Sequence, residues 1–227
     1  MIGRKPLPLY EEILLLALDD DEGTTATGSM FANAMGGAIL AELAMEGIIR
    51  IGSDKKKQVT LVRRTPPGDP LLHDCYEMIA AAKKPKKAAE WVMKFAGIKD
   101  LKNRAARQLV DKGVLREDTG TVLKIFKRTI YPEADGGPEQ DLRRRMEKAV
   151  FTATPELDHR TVVIVALAHA ANMLPRILDK KKLKGRKQRL EQLTSGQIAG
   201  AATKEAVEAV QAAIMVCAMV PIITAAT

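Results

Sequence analysis

Apolar residues recur along this chain at steps of three and four, the spacing that lines one face of an α-helix. "LYEEILLLAL" at residues 9–18 opens the pattern and "DDDEG" closes it. A second helix is predicted over residues 29–46, ending at Gly47 in the left-handed position that follows many helices. Further helices are predicted near 70–82, 88–96 and 101–112, with Pro85 in "KKPKK" marking the joint between the first two. "EADGGPEQ" is the clearest loop, and helices near 139–151, 159–178, 182–193 and 202–223 follow it. Residues 162–167 are apolar on every side, as expected of a helix at the centre of a bundle.

Two stretches depart from helical spacing and are written nearly alike. "LAMEGIIRIGSDKKKQVTLVRR" (43–64) and "LVDKGVLREDTGTVLKIFKR" (109–128) each read as a helix end, a glycine stop and a two-stranded hairpin. Leu43 matches Leu109, Gly47 matches Gly113 and Arg50 matches Arg116. With no Ser/Gly-rich linker in the chain, the fold class is mostly α: residues 1–227 as a single-domain helical bundle with two peripheral β-hairpins. In "TVLKIF" one strand face would carry Leu123 and Ile125, the other Val122 and Phe126 around Lys124. One face can cover the core and leave the other for a membrane or a second subunit.

Composition narrows the chemistry. The 227 residues are 46% hydrophobic and 28% charged, which is globular rather than disordered, and aromatics at 4% favour a helical core of Leu, Ile, Val, Ala and Met. A net charge of +8 and a pI near 9.5 point to a polyanionic partner: nucleic acid, an anionic membrane or a phosphorylated ligand. Two cysteines, Cys75 and Cys217, define neither a disulfide framework nor a zinc site. The start lacks the apolar core of a signal peptide, and the apolar tail 212–226 is interrupted by Pro221 and shorter than the ~20 residues of a membrane span. A soluble, intracellular protein is expected.

No active site assembles. "GTTATGS" (23–29) has Ser29 and Met30 where a phosphate-binding loop needs Lys and Ser or Thr. His73, Asp74 and Cys75 are consecutive, so on a helix they point about 100° apart and cannot converge. Cys75 falls on an apolar stripe and reads as a buried thiol, and His169 in "ALAHAAN" reads as a core histidine. "DDDEG" lacks calcium-loop spacing, so neither a metal nor another cofactor is expected. The chain reads as a binder. Its basic residues cluster on the first hairpin, in "KKPKK", at Arg143, Arg144 and Arg145, and in "DKKKLKGRKQR" (179–189). Lys99 and Lys102, one turn apart beside the stripe of Ile98, Leu101, Ala105 and Leu109, are spaced to hold a phosphate as point charges.

Winged-helix DNA readers need a polar, basic recognition helix aimed at base edges. The helix before the first hairpin, "FANAMGGAILAELAMEG", has no basic residue, and the one before the second offers Lys99, Lys102, Arg104 and Arg107. That suffices for phosphates but not for reading sequence, so a specific nucleic-acid partner is the weaker alternative.

Several of these segments together resemble the Golgi phosphoprotein 3 family of phosphatidylinositol 4-phosphate effectors: "LYEEILLLALDDDEG", "AILAELAMEGII", "AAEWVMKFAG", "ARQLVDKGVL" and "VALAHAANML". The resemblance runs in order from Leu9 to about Leu193. It implies a non-enzymatic, mostly helical domain, peripheral on the cytosolic face of a membrane, with an anionic lipid as partner. It also implies self-association; an adaptor gripping the tails of other proteins is a further alternative, compatible with lipid binding. The family's headgroup pocket uses a Trp and three Arg. The last two Arg correspond to Lys99 and Lys102, the Trp falls at Thr27 or Gly28, and the first Arg at Gly36. The family's second hairpin, matching residues 115–126, is a membrane and self-association contact, which here points to Val122, Lys124 and Phe126. The short segment before the first helix leads us to expect a bacterial member.

Overall fold

The computed structural model describes residues 6–18, 29–52, 55–122, 126–152, 157–195, 211–212 and 214–215. Helix α1 (Leu9–Leu15) is followed by α2 (Ser29–Met45), then the hairpin strands β1 (Ile49–Ile51) and β2 (Gln58–Leu61). Next come α3 (Pro70–Ala80), a short strand β3 (Lys86–Lys87), α4 (Ala88–Ala96) and α5 (Leu101–Asp111). The second hairpin, β4 (Asp118–Val122) and β5 (Phe126–Ile130), leads into α6 (Gly137–Phe151) and α7 (His159–Ala170). Three short helices follow: α8 (Leu174–Ile177), α9 (Lys180–Leu183) and α10 (Lys187–Thr194). The fold is a mostly α bundle with two small antiparallel sheets, as the hydrophobic spacing leads one to expect.

Apolar content decides which helices lie inside. All of residues 34–44 in α2 and 161–168 in α7 are buried, so each needs cover on every side. They pack on each other and on α1; α4 covers α2, while α6 and α10 cover α7. The helix before the first hairpin is therefore core, and it has no face to lay in a DNA groove.

Both hairpins leave their helices the same way. Gly47 (φ 66°) and Gly113 (φ 70°) take the left-handed conformation that costs glycine nothing. The next residue then bonds back into the last turn, Ile48 to Leu43 and Val114 to Leu109, each at 2.9 Å. In the first hairpin Ile49 and Ile51 point inward and Arg50 outward, with Ile51 paired to Val59.

The structure corrects four expectations. Lys86 and Lys87 are not simply a joint: they pair with Val59 and Gln58 as a third strand. The helix expected over 159–178 stops at Asn172, whose φ of 56° makes it a left-handed cap, and restarts as α8. The helix expected over 182–193 is two, α9 and α10, separated at Gly185. His169 is exposed rather than in the core, because the buried run of α7 ends at Ala168. Cys75 is fully buried, as its stripe implied, and burial raises its thiol pKa far above the ordinary value. The helix expected over 202–223 lies outside the described residues except for 211–212 and 214–215, which are helical.

Candidate anion-binding site

Helix α5 presents the two lysines at its start. Leu101, Ala105, Ala106 and Leu109 are buried, so the helix lies against α1 along one stripe. Lys99 is outside the helix, in the tight turn after Gly97, and is exposed; Lys102 is in the first turn and half-buried. Asp100 between them is the N-cap, with φ 59°, and its side chain makes no capping hydrogen bond. The first-turn N–H groups of α5 are thus left without a side-chain cap beside two lysines, with the Asp100 carboxylate offsetting part of that positive charge.

The far end of α5 is bolted down. Lys112 Nζ donates to Glu11 Oε1 at 2.5 Å, and Glu11 is wholly buried. The neighbouring Tyr10 hydroxyl donates to Asp69 at 2.8 Å and lies 2.9 Å from Gln108 of α5. Asp69 also caps α3 by accepting from the backbone N–H of Leu71 and Leu72. This cluster fixes α5 against α1 and α3 and leaves its N-terminus at the surface.

Burial pushes the Glu11 carboxyl from 4.5 up to about 7, against the pull of Lys112. The folded protein therefore binds this proton more tightly than the unfolded chain does. Its stabilising share is full below pH 4.5 and declines as pH rises toward 7. We expect unfolding free energy to increase on acidification across that window, by roughly 3 kcal/mol from this group. Glu12 adds to the trend because its burial also raises its pKa. Asp141 and Asp158 have lowered values and oppose the trend only near and below their ordinary 3.8, whereas His169, lowered by partial desolvation, opposes it as pH falls below its ordinary 6.5. Urea titrations of wild type and Glu11→Gln between pH 4.5 and 7 check this, and a slope identical in both proteins would refute it.

Other basic residues are less available than the sequence implied. Arg143 bonds Glu139 and the Ile177 carbonyl, Arg144 bonds Asp141, and Arg145 reaches inward to Glu12, Asp141 and Thr161. The "RRR" cluster is structural. Arg186 and Arg189 donate to the Phe151, Ala149 and Thr152 carbonyls at the end of α6. Arg104 pairs with Asp74 and Arg107 with Asp100, so they are not simply idle phosphate contacts.

The remaining site candidates divide. Val122 and Phe126 are partners across the last rung of the second hairpin, on opposite strands, so "TVLKIF" is not one strand with two faces. Lys124, with Leu123 and Ile125, lies outside the described residues, as do Thr27 and Gly28 and the side chains of Val122 and Phe126. Gly36 is buried where α2 crosses α4. Met93 was missed: it is 52% exposed on α4, one turn before Gly97, with exposed Lys94 beside it. Its signal in the sequence is an apolar residue off the stripe of Ala88, Trp91, Val92 and Phe95.

Two grooves, of about 820 and 490 Å³, meet at Pro6, Leu7 and Arg160. Their charged walls are largely satisfied by internal pairs such as Arg160–Glu42 and Arg63–Glu46, and Lys99 and Lys102 border neither. Among the described residues no cluster of His, Cys, Asp or Glu could hold a metal, and no helix is long and apolar enough to cross a membrane.

A helical bundle with two helix–glycine–hairpin units and a basic helix start is one architecture that comparison can test. Residues 9–210 match the family Golgi phosphoprotein 3 (GPP34), and the chain belongs to that family. It is similar to vacuolar protein sorting-associated protein 74 of Eremothecium gossypii, 26% identical over 210 residues that cover 78% of this chain. The protein of the same name from Schizosaccharomyces pombe is 27% identical over 206 residues, 76% of this chain. The chain spans 63% and 60% of the lengths of these two relatives. Neither is bacterial, and the expectation of a bacterial member finds no support in them.

Proposed function

We propose that this is a non-catalytic peripheral membrane protein that binds a phosphorylated lipid headgroup, phosphatidylinositol 4-phosphate or a related phospholipid, through Lys99 and Lys102. The observation that carries the reading is their position at the start of α5, beside a cap residue whose side chain makes no capping hydrogen bond, in a chain of this family. The two relatives are named for vacuolar protein sorting, which is in keeping with work at a membrane surface.

Magnitudes limit what charge can do. Each Lys or Arg near an anionic surface is worth about 1 kcal/mol, so four give ~4 kcal/mol, or millimolar affinity. Further contacts must add to this. Exposed Met93 on α4, contacts by Val122, Lys124 and Phe126, and self-association are the proposed contributors; avidity alone can supply ~10²-fold.

The test is sedimentation with vesicles. Wild type should bind anionic vesicles, less at higher salt, since exposed charges are screened beyond about 10 Å at 0.1 M. The double reversal Lys99→Glu/Lys102→Glu should lose at least about tenfold in affinity and keep its Tm, because surface changes usually cost within ~0.5 kcal/mol. The same reversal at Lys180 and Lys181, exposed on α9, should cost less. Equal losses would mean a positively charged surface and no site. A gel-shift titration completes the test: a DNA site bound ~10³-fold tighter than random duplex would overturn the membrane reading.

A further inference from the structure

Where the first hairpin meets the connection from α3 to α4, a smaller pocket of about 220 Å³ opens. Leu61, Ile79, Ala80, Pro85 and Trp91 give it apolar walls, and Lys84 and Lys86 stand in the same lining. The two larger grooves each carry four carboxylates in their walls; this pocket carries none. Lys84 is exposed, and Lys86 is half-buried in β3, where it pairs with Val59. Trp91 is 2% exposed and packs on Phe95, with ring centroids 5.6 Å apart. Its indole N–H is buried and has no hydrogen-bond partner among the described residues, whereas buried donors are nearly always answered. The Thr60 hydroxyl, also in the lining, donates to the Arg50 carbonyl. In its side chains the pocket is thus rich in donors and has no acid.

We infer that this pocket binds a small amphiphilic anion, a short alkyl carboxylate, with its chain against Leu61, Ile79 and Pro85 and its charge toward Lys84 and Lys86. Apolar walls beside two ammonium groups suit a ligand with one apolar and one negative end, and they repel a cation. The volume falls below the ~300–1,000 Å³ of pockets for drug-sized ligands, so the ligand is short. Lysines present point charges without the planar fork of arginine, and a carboxylate satisfies them. Lys99 and Lys102 do not line this pocket, so the inference stands apart from the headgroup reading.

Trp91 is the single tryptophan of the chain, and its fluorescence reports what enters the pocket. Titrating the full chain with straight-chain carboxylates, from butyrate upward, should change that fluorescence saturably. Affinity should rise about fourfold per methylene, the gain from burying one CH₂, and level off once the chain outgrows the pocket. Lys84→Gln/Lys86→Gln should weaken octanoate binding about tenfold, the loss of two exposed charge pairs, and leave octanol binding unchanged. Ala80 is exposed and lines the pocket, so Ala80→Phe should fill it, abolish octanoate binding and keep the wild-type Tm. Octanol bound as tightly as octanoate by wild type would refute the anion site, as would wild-type octanoate affinity in the double glutamine variant. Undiminished octanoate binding by Ala80→Phe would refute the pocket. Phosphatidylcholine vesicles carrying oleate should sediment Ala80→Phe as they do wild type. A loss there would make a membrane lipid, rather than a soluble acid, the ligand.

Discussion

Truncating Arg160 to alanine is expected to destabilise this protein by roughly 3–5 kcal/mol, the cost of leaving a buried charge without its partner. Arg160 donates to both oxygens of Glu42, at 2.8 and 3.0 Å, and to the Leu7 carbonyl at 2.7 Å. Glu42 also accepts from the Leu9 backbone at 2.6 Å, and Glu12 lies 3.8 Å away. One guanidinium thus holds the start of α1, the end of α2 and the start of α7 together over two carboxylates that are each 5% exposed. Without it the Glu42 carboxylate is left buried without its guanidinium partner. Because small domains are stable by only about 5–15 kcal/mol, urea denaturation should show a large fall in midpoint. Replacing both partners, Glu42→Leu with Arg160→Met, should be far milder, since no orphaned charge remains. A loss below ~1 kcal/mol in Arg160→Ala would place this pair with exposed surface bridges instead.

The second large effect is at Gly36. A methyl group there would sit 2.4 Å from the Val92 carbonyl oxygen and 3.0 Å from the Ala96 nitrogen, both backbone atoms of α4. Alanine favours a helix over glycine by about 1 kcal/mol. Here that gain is outweighed, because neither helix can shift without unpacking the core, and overpacking costs about 1–3 kcal/mol. Gly36→Ala should therefore lower Tm, while Gly68→Ala, with nothing within 4 Å, should leave it unchanged. Gly36→Arg should not fold. The position that the resemblance sets against the family's first headgroup arginine therefore has no room for a side chain at the α2–α4 crossing. Unchanged stability in Gly36→Ala would mean that the helices stand further apart than described.

These two sites mark where reading along the chain stops. Helices α2 and α7, the left-handed glycines 47 and 113, both hairpins and the buried Cys75 follow from residues within a few positions of one another. Helical and strand periods are properties of neighbouring dihedrals, so a contiguous sequence determines them by itself. The start of α5 was legible for the same reason: the stripe of Leu101, Ala105 and Leu109 sets the helix face beside Lys102, whereas Lys99 lies in the turn before the helix. What the chain could not show was which charges meet. Arg160 and Glu42 are 118 residues apart, Arg145 and Glu12 are 133, and Lys112 and Glu11 are 101. Before folding, Arg145 is one of three like arginines and Glu42 a lone acid in an apolar helix. Only the crossing of α1, α2, α6 and α7 turns them inward, while Lys99 and Arg107 stay exposed and Lys102 half-buried. The tertiary structure decided this because burying a charge is tolerable only beside its opposite, and that opposite came from a distant part of the chain.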